Sequence, residues 1–310
     1  MDDAQTWGLR AFGLDLQADF AVPGASRGTD GVPRGRPLAL RWVLAAELQP
    51  LVAEPRILRW LHVFEGRPYA MLEAADGDIL FVYGGDAMFH LSADRAVLRC
   101  GHDGGPGMSW QRVLLDTVLW TTSLMAGYEL LHAGAIATRA GVVAIVAESG
   151  AGKTSLVAEC VARGAALFCD DILALEQTGG GVLAHPGPPV MNLPGAVPAG
   201  RLGDAEVLDR FGDEQWVRVG RVAAGPAPLH AVVLLRRAAG ETARCIPLDA
   251  TLLDLLPHAV WLWPAPGRER RRFELFGQLA AGARVLRLAA DPALSTAGLA
   301  DLLEQRIGLA

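Results

Sequence analysis

Two spacings of apolar residues alternate along this chain. In the first third they recur every second position. GLRAFGLDLQADF (8–20) alternates apolar and polar side chains, which predicts a half-buried strand. RPYAMLEAADGDILFVYGG and DAMFHLSADRAVLRC carry further strand-like runs, and Asp76-Gly77 between two of them predicts a hairpin turn. The Gly-, Pro- and Arg-rich stretch from Val22 to Arg36 predicts a loop. GHDGGPGMS (101–109) predicts a linker, with Ser109 capping a helix that runs to about Met125 and ends at Gly127. Trp110, Val113, Leu114, Leu119, Trp120 and Leu124 cover most faces of that helix, so it should be buried.

Beyond it the pattern becomes that of alternating strands and helices. ELLHAGAIAT predicts a strand, RAG a turn, and VVAIVA a strand buried on both faces. SLVAECVAR has a helical stripe at Leu156, Val157, Cys160 and Val161, with Gly164 at the position after the helix end. ALFC reads as a short strand ending at Asp170 and Asp171. HPGPPVMNLPGAVPAG (185–200) has too many prolines for regular structure and predicts a long loop. HAVVLLRR is a core strand. ATLLDLLPHAVWLW, RRFELFGQLAAGARVLRLA and TAGLADLLEQRI predict helices, the second followed by a strand. The pattern thus divides the chain into a β-rich region over 1–108, a possible substrate-docking module, and an α/β domain over 109–310.

Composition narrows the function classes. Hydrophobic residues make up 51% of the 310 and charged residues 20%, which suits a globular core. A net charge of −6 predicts no broad attraction to nucleic acid or anionic membrane. Asp116, Glu129, His132 and Arg139 interrupt the most apolar region, Val113 to Ala147, so it reads as buried structure rather than a membrane span. The acidic opening MDDAQTWGLRAFG has no secretory pattern, and Cys100, Cys160, Cys169 and Cys245 match no zinc or redox spacing. Together these predict a reducing, cytoplasmic setting.

One count is more telling. Of the 28 basic residues 27 are arginine, and the sole lysine is Lys153. It falls in AESGAGKT, which follows the phosphate-loop pattern G-x-x-x-x-G-K-[ST] except that Ala147 stands at the first glycine. An ammonium on a flexible stem reaches phosphates as a point charge, which a planar guanidinium does not reproduce. In this motif the main chain around Ser149, Gly150, Ala151, Gly152, Lys153, Thr154 and Ser155 cradles phosphate at a helix N-terminus, Lys153 contacts the outer phosphates, and Thr154 offers its hydroxyl to Mg²⁺. Alanine at 147 costs energy only if that position needs positive φ.

Asp170 and Asp171 follow Lys153 by one helix and one strand, which places them on a strand expected to neighbour the loop's own. One carboxylate can bind metal and the other can accept a proton from an attacking hydroxyl. Asp170 is assigned the base and Asp171 the metal side, with the roles open to exchange. An exposed Asp-Asp turn is the bland alternative. His132, on the preceding strand, reads by itself as a core or rim histidine, with a place beside the γ-phosphate as the functional alternative. Arg268, Arg270, Arg271 and Arg272 read as a solvated helix face or a phosphate or acidic-peptide clamp. His185 and Asn192 are weaker candidates for substrate contact.

The stretch LLHAGAIATRAGVVAIVAESGAGKTSLVAECVARGAALFCDDILAL resembles the catalytic core of HPr kinase/phosphorylase-like proteins. The matching positions are His132, Gly152-Lys153-Thr154, Arg163-Gly164 and Asp170-Asp171. The resemblance implies an α/β fold with the P-loop core shared with phosphoenolpyruvate carboxykinase, preceded by an N-terminal β-rich domain. It implies ATP and Mg²⁺ as cofactors and Lys153, Asp170, Asp171 and His132 as catalytic residues. TWGLRAFGLDLQADF is similar to the opening strand of a short branch associated with ribosomal, notably lasso, peptide tailoring. That branch implies a peptide or small-protein substrate phosphorylated on a Ser/Thr hydroxyl. The residues themselves leave three readings: such a kinase, a small-metabolite kinase on the same core, and a nucleotide-gated binding module. A homo-oligomer is also left open.

Overall fold

The computed structural model describes residues 6–27, 35–64, 67–84, 87–102, 108–262 and 267–308. Contacts divide the chain into two units, residues 1–127 and 128–310.

Among the described residues of the first unit the strands form one nine-stranded sheet, mostly antiparallel, with Arg36–Val43 parallel to both of its neighbours. GLRAFGLDLQADF is not one strand. It folds as a hairpin, Trp7–Ala11 against Leu14–Ala18, turning at Phe12 and Gly13 with φ of 55° and 81°. Two left-handed central residues match the right-handed twist of the strands they join. The Asp76-Gly77 turn forms between Arg67–Ala74 and Ile79–Tyr83, and the Asp76 side chain accepts from the Asp78 amide at 3.1 Å. Part of the predicted 22–36 loop lies outside the described residues; within it Ser26–Arg27 pairs with Trp7–Gly8.

The predicted linker 101–109 lies largely outside the described residues. The helix after it begins at Met108, so Ser109 stands in its first turn rather than at the cap. It runs to Met125 with a π-helical segment at Leu114–Val118. Its buried face packs on the first unit's own sheet. The Trp110 ring lies tilted, 5.3 Å from Phe20 and 6.0 Å from Phe89, and the Ser123 hydroxyl donates to the Phe12 carbonyl at 2.6 Å.

The second unit is built around three parallel strands, Gly141–Ala147, Ala227–Arg237 and Arg284–Ala290. Antiparallel Gly134–Thr138 and then Ala166–Cys169 extend one side, and Arg244–Pro247 pairs with the far edge. The apolar run VVAIVA is buried on both faces, as expected. Val143, Ile145 and Ala147 pack with the helices Lys153–Ala162 and Thr296–Ile307. Val142, Ala144 and Val146 face the helix Arg268–Gly282. Alternation with period two sends successive side chains to opposite layers, so a strand covered on both sides is apolar throughout.

Four sequence expectations change here. ELLHAGAIAT breaks at Ala133 into two strands with different partners, Glu129–His132 against Ile172–Thr178 and Gly134–Thr138 against Gly141–Ala147. The strand of Asp170 does not neighbour the loop's strand; Gly134–Thr138 lies between them. The proline-rich 185–200 stretch contains a strand, Val190–Pro194, paired with Glu214–Arg218. Pro188 and Pro189 precede the run and Pro194 ends it, while Val190, Met191 and Leu193 are buried. The region 250–263, of which Trp263 lies outside the described residues, makes only a short turn of helix, Leu252–Leu255, then a 3₁₀ turn Leu256–His258. Pro257 has no amide hydrogen to continue an α-helix.

Candidate active site

The loop after Gly141–Ala147 has the form its sequence demands. Gly150 and Gly152 adopt φ of 78° and 94°, and no atom lies within 4 Å of where a side chain would start. Conformation, not crowding, therefore requires glycine at both positions. Gly152 is the N-cap of the helix Lys153–Ala162. Glu148, Ser149 and Gly150 are exposed, while Ala151, Gly152, Thr154 and Ser155 are half-buried. Amides of a first helical turn lack intrahelical acceptors, and the helix dipole adds positive potential there. Ala147 does not belong to this strained part. It is the last residue of the strand, 5% exposed, paired with Leu235, with φ outside the left-handed region. Alanine is therefore conformationally at ease at 147.

Lys153 is buried, and its ammonium donates to Asp171 Oδ1. The Asp171 side chain is 54% exposed, so this carboxylate stands between the buried lysine and solvent. His132 Nε2 lies 3.6 Å from the same oxygen. Asp170 turns inward, and its Oδ2 accepts from the Asn192 backbone amide at 2.8 Å. Three of the residues singled out in the sequence, Lys153, Asp171 and His132, thus meet at one oxygen. Asp170 is the adjacent residue, held by the strand Val190–Pro194.

The close approach of these elements is made at Gly134. A Cβ there would lie 2.6 Å from the Asp170 carbonyl oxygen, 2.8 Å from Val157 Cγ2 and 3.5 Å from Lys153 Cγ. An isolated glycine within a strand pattern is the sequence signal for such an approach. Sequence reasoning also missed His258. The strand Glu129–His132 bridges Ala259 through Leu131, and the Val260 amide donates to the Leu130 carbonyl at 3.0 Å. His258 precedes that bridge and is an electrostatic neighbour of His132 and Glu148. The His132 imidazole is held below its ordinary range, chiefly by burial, with Asp171 opposing and Lys153 reinforcing the shift.

The arginine run is divided: Arg270 and Arg271 are exposed as a solvated face, whereas Arg268 and Arg272 turn inward. Arg268 and Arg272 are each 3% exposed and both bind buried Glu129, through contacts of 3.1 Å. Arg272 also donates to the Val260 carbonyl at 2.9 Å and lies 4.1 Å above the Trp261 ring. Residues four apart share a helix face, which aims this pair inward, while Arg270 pairs with Glu274 on the exposed side. The cluster ties the start of the His132 strand to the segment carrying His258. His185 is 2% exposed, at 2.9 Å from Glu176 Oε2 and edge-on to Tyr128, and it serves the interior. Among the described residues, no three His, Cys, Asp or Glu side chains are arranged to hold a metal by themselves. All four cysteines are free and buried. No helix among the described residues is long and apolar enough to cross a membrane.

No family model matches the chain, and no curated protein matches it. Among solved structures it is similar to the Hpr(Ser) kinase/phosphatase from Coxiella burnetii, at a TM-score of 0.32 and 14% identity, over 57% of this chain and 91% of that one.

Proposed function

We propose that this chain is a Mg-ATP-dependent kinase that transfers the γ-phosphoryl group to a Ser/Thr hydroxyl of a peptide or small protein. The observation that carries the reading is the buried ammonium of the chain's sole lysine, at the mouth of a left-handed glycine loop and paired with an exposed carboxylate. Loop and helix amides from Ser149 to Ser155 bind the phosphates, and Lys153 draws off charge at the outer ones. The Thr154 hydroxyl and the Asp171 carboxylate are hard oxygen donors and would hold a magnesium ion. When bound, that ion neutralises charge on the phosphates.

Asp170 is the base. The acceptor oxygen attacks the γ-phosphorus, the bond from that phosphorus to the β,γ-bridging oxygen breaks, ADP leaves, and the hydroxyl proton passes to the Asp170 carboxylate. The Asn192 amide fixes that carboxylate in position. His132, 3.6 Å from the Asp171 carboxylate, is within reach of the transferring phosphoryl group. The β-rich N-terminal region docks the acceptor. Its terminal strand Arg56–Phe64 exposes Ile57, Leu58, Leu61 and Val63, a row suited to pairing with an extended peptide. The resemblance of the opening strand extends this to a ribosomal precursor peptide of the lasso type. Incubation with γ-labelled ATP, magnesium and peptides ending in serine tests the reading. Label on the serine supports it; bound nucleotide with no labelled acceptor in any peptide or metabolite fraction overturns it.

A further inference from the structure

The reading above uses one histidine beside the loop, yet the fold brings two to that place. His258 is the last residue of the 3₁₀ turn Leu256–His258, one residue before the bridge between Ala259 and Leu131. His132 is one residue after Leu131. In an antiparallel bridge the residues flanking it on opposite strands are neighbours, with side chains on the same face. The main-chain bond from Val260 to Leu130 fixes the register, and the buried Glu129–Arg268–Arg272 cluster holds both segments together. Glu148, the second residue of the phosphate loop, is an electrostatic neighbour of His258. His258 thus stands beside the histidine that touches the Asp171 pair, within electrostatic reach of the phosphate loop.

We infer that His258 is a second imidazole of the phosphate site, donating an N–H to the terminal phosphoryl group of the bound nucleotide from the side opposite the loop amides. This rests on the kinase reading and adds to it a residue that distinguishes the triphosphate from the diphosphate. Burial, and then the adjacent His132, hold the His258 imidazole below its ordinary range, against the pull of Glu148. A neutral N–H can hydrogen-bond a phosphoryl oxygen without adding a second cation beside Lys153.

Two experiments on the full chain test it. In the first, the wild-type protein is treated with diethyl pyrocarbonate with and without Mg-ATP, and each histidine is followed by mass spectrometry. With nucleotide at ten times its Kd, modification of His132 and His258 should slow about 10-fold by mass action, while exposed His62 should react unchanged. In the second, ATP and ADP affinities are measured by calorimetry. His258→Ala should weaken ATP about 10-fold and ADP less than about 2-fold, as expected for loss of one hydrogen bond to a charged group. His258→Gln, which keeps a donor, should recover part of the loss. Protection of His132 without His258, or equal effects of His258→Ala on ATP and ADP, overturns the assignment and leaves the kinase reading standing. Absence of any nucleotide binding by the wild type overturns both.

Discussion

The Lys153 ammonium and the Asp171 carboxylate are ion-paired, one group buried and the other more than half exposed. The pair joins the first residue of a helix to the residue two beyond the end of the following strand. Lys153 lies under the glycine loop, and Asp171 closes it off from solvent. An anion entering the loop must share the lysine with Asp171 or displace it.

Lys153→Ala is expected to lower phosphoryl transfer by at least about 10²–10³-fold, the scale of a lost charge-stabilising group. Lys153→Arg should not restore it, because a planar fork cannot take the place of a compact ammonium. Transfer of label from γ-labelled ATP reads both variants.

Asp170→Asn should retain nucleotide binding and lose transfer. The amide is isosteric and can still accept from the Asn192 N–H, yet it cannot take a proton. Calorimetry and the transfer assay together check this. Unaltered transfer would reassign the base.

Ala147→Gly tests the departure from the loop pattern. Position 147 is an ordinary strand position, so glycine there should leave ATP affinity unchanged and destabilise the fold by about 0.5–1 kcal/mol. Gly134→Ala should act in the opposite sense on the site. Its added methyl group meets the Asp170 carbonyl and the Val157 side chain, costing about 1–3 kcal/mol and shifting the Asp170 main chain away from the helix that carries Lys153. Urea denaturation and nucleotide titration separate the two effects.

Glu129→Ala leaves two buried guanidinium groups without their carboxylate. Loss of one partner from a buried ion cluster costs about 3–5 kcal/mol, which a fall in the urea midpoint would register.

Stability should also fall in mild acid. Burial holds the His185 imidazole below its ordinary value of 6.5, while Glu176 pulls the other way. The unfolded chain therefore binds a proton more readily at this residue than the folded one. Its contribution to stability is complete above pH 6.5 and is lost as pH falls from there through the folded-state value. His185→Gln should flatten the stability curve over that acid range, as measured by denaturation at a series of pH values.

Local chemistry determined much of this protein from its sequence. Glycines at 150 and 152 specify left-handed backbone wherever the chain lies, and the Asp76-Gly77 turn closes its hairpin from its own residues. The helix after the loop ends at Gly164, whose amide bonds the Val161 carbonyl while that of Ala165 bonds Cys160. VVAIVA could only be a strand covered on both faces. These features depend on neighbours a few residues apart, so the sequence states them directly.

Tertiary structure decided the rest, because burial and charge pairing depend on distant partners. Arg268 and Arg272 resemble a solvated run until Glu129, about 140 positions earlier, receives them in the interior. ELLHAGAIAT reads as one strand, but Ala133 donates to the Asp171 carbonyl and the two halves join different strands. The helix Met108–Met125 is apolar on most faces, and its pattern does not say which sheet it covers; Phe12, Phe20 and Phe89 place it with the first unit. His258 carried no motif at all. It comes beside His132 through a backbone bridge between residues 131 and 259, a contact of high sequence separation that no local pattern encodes.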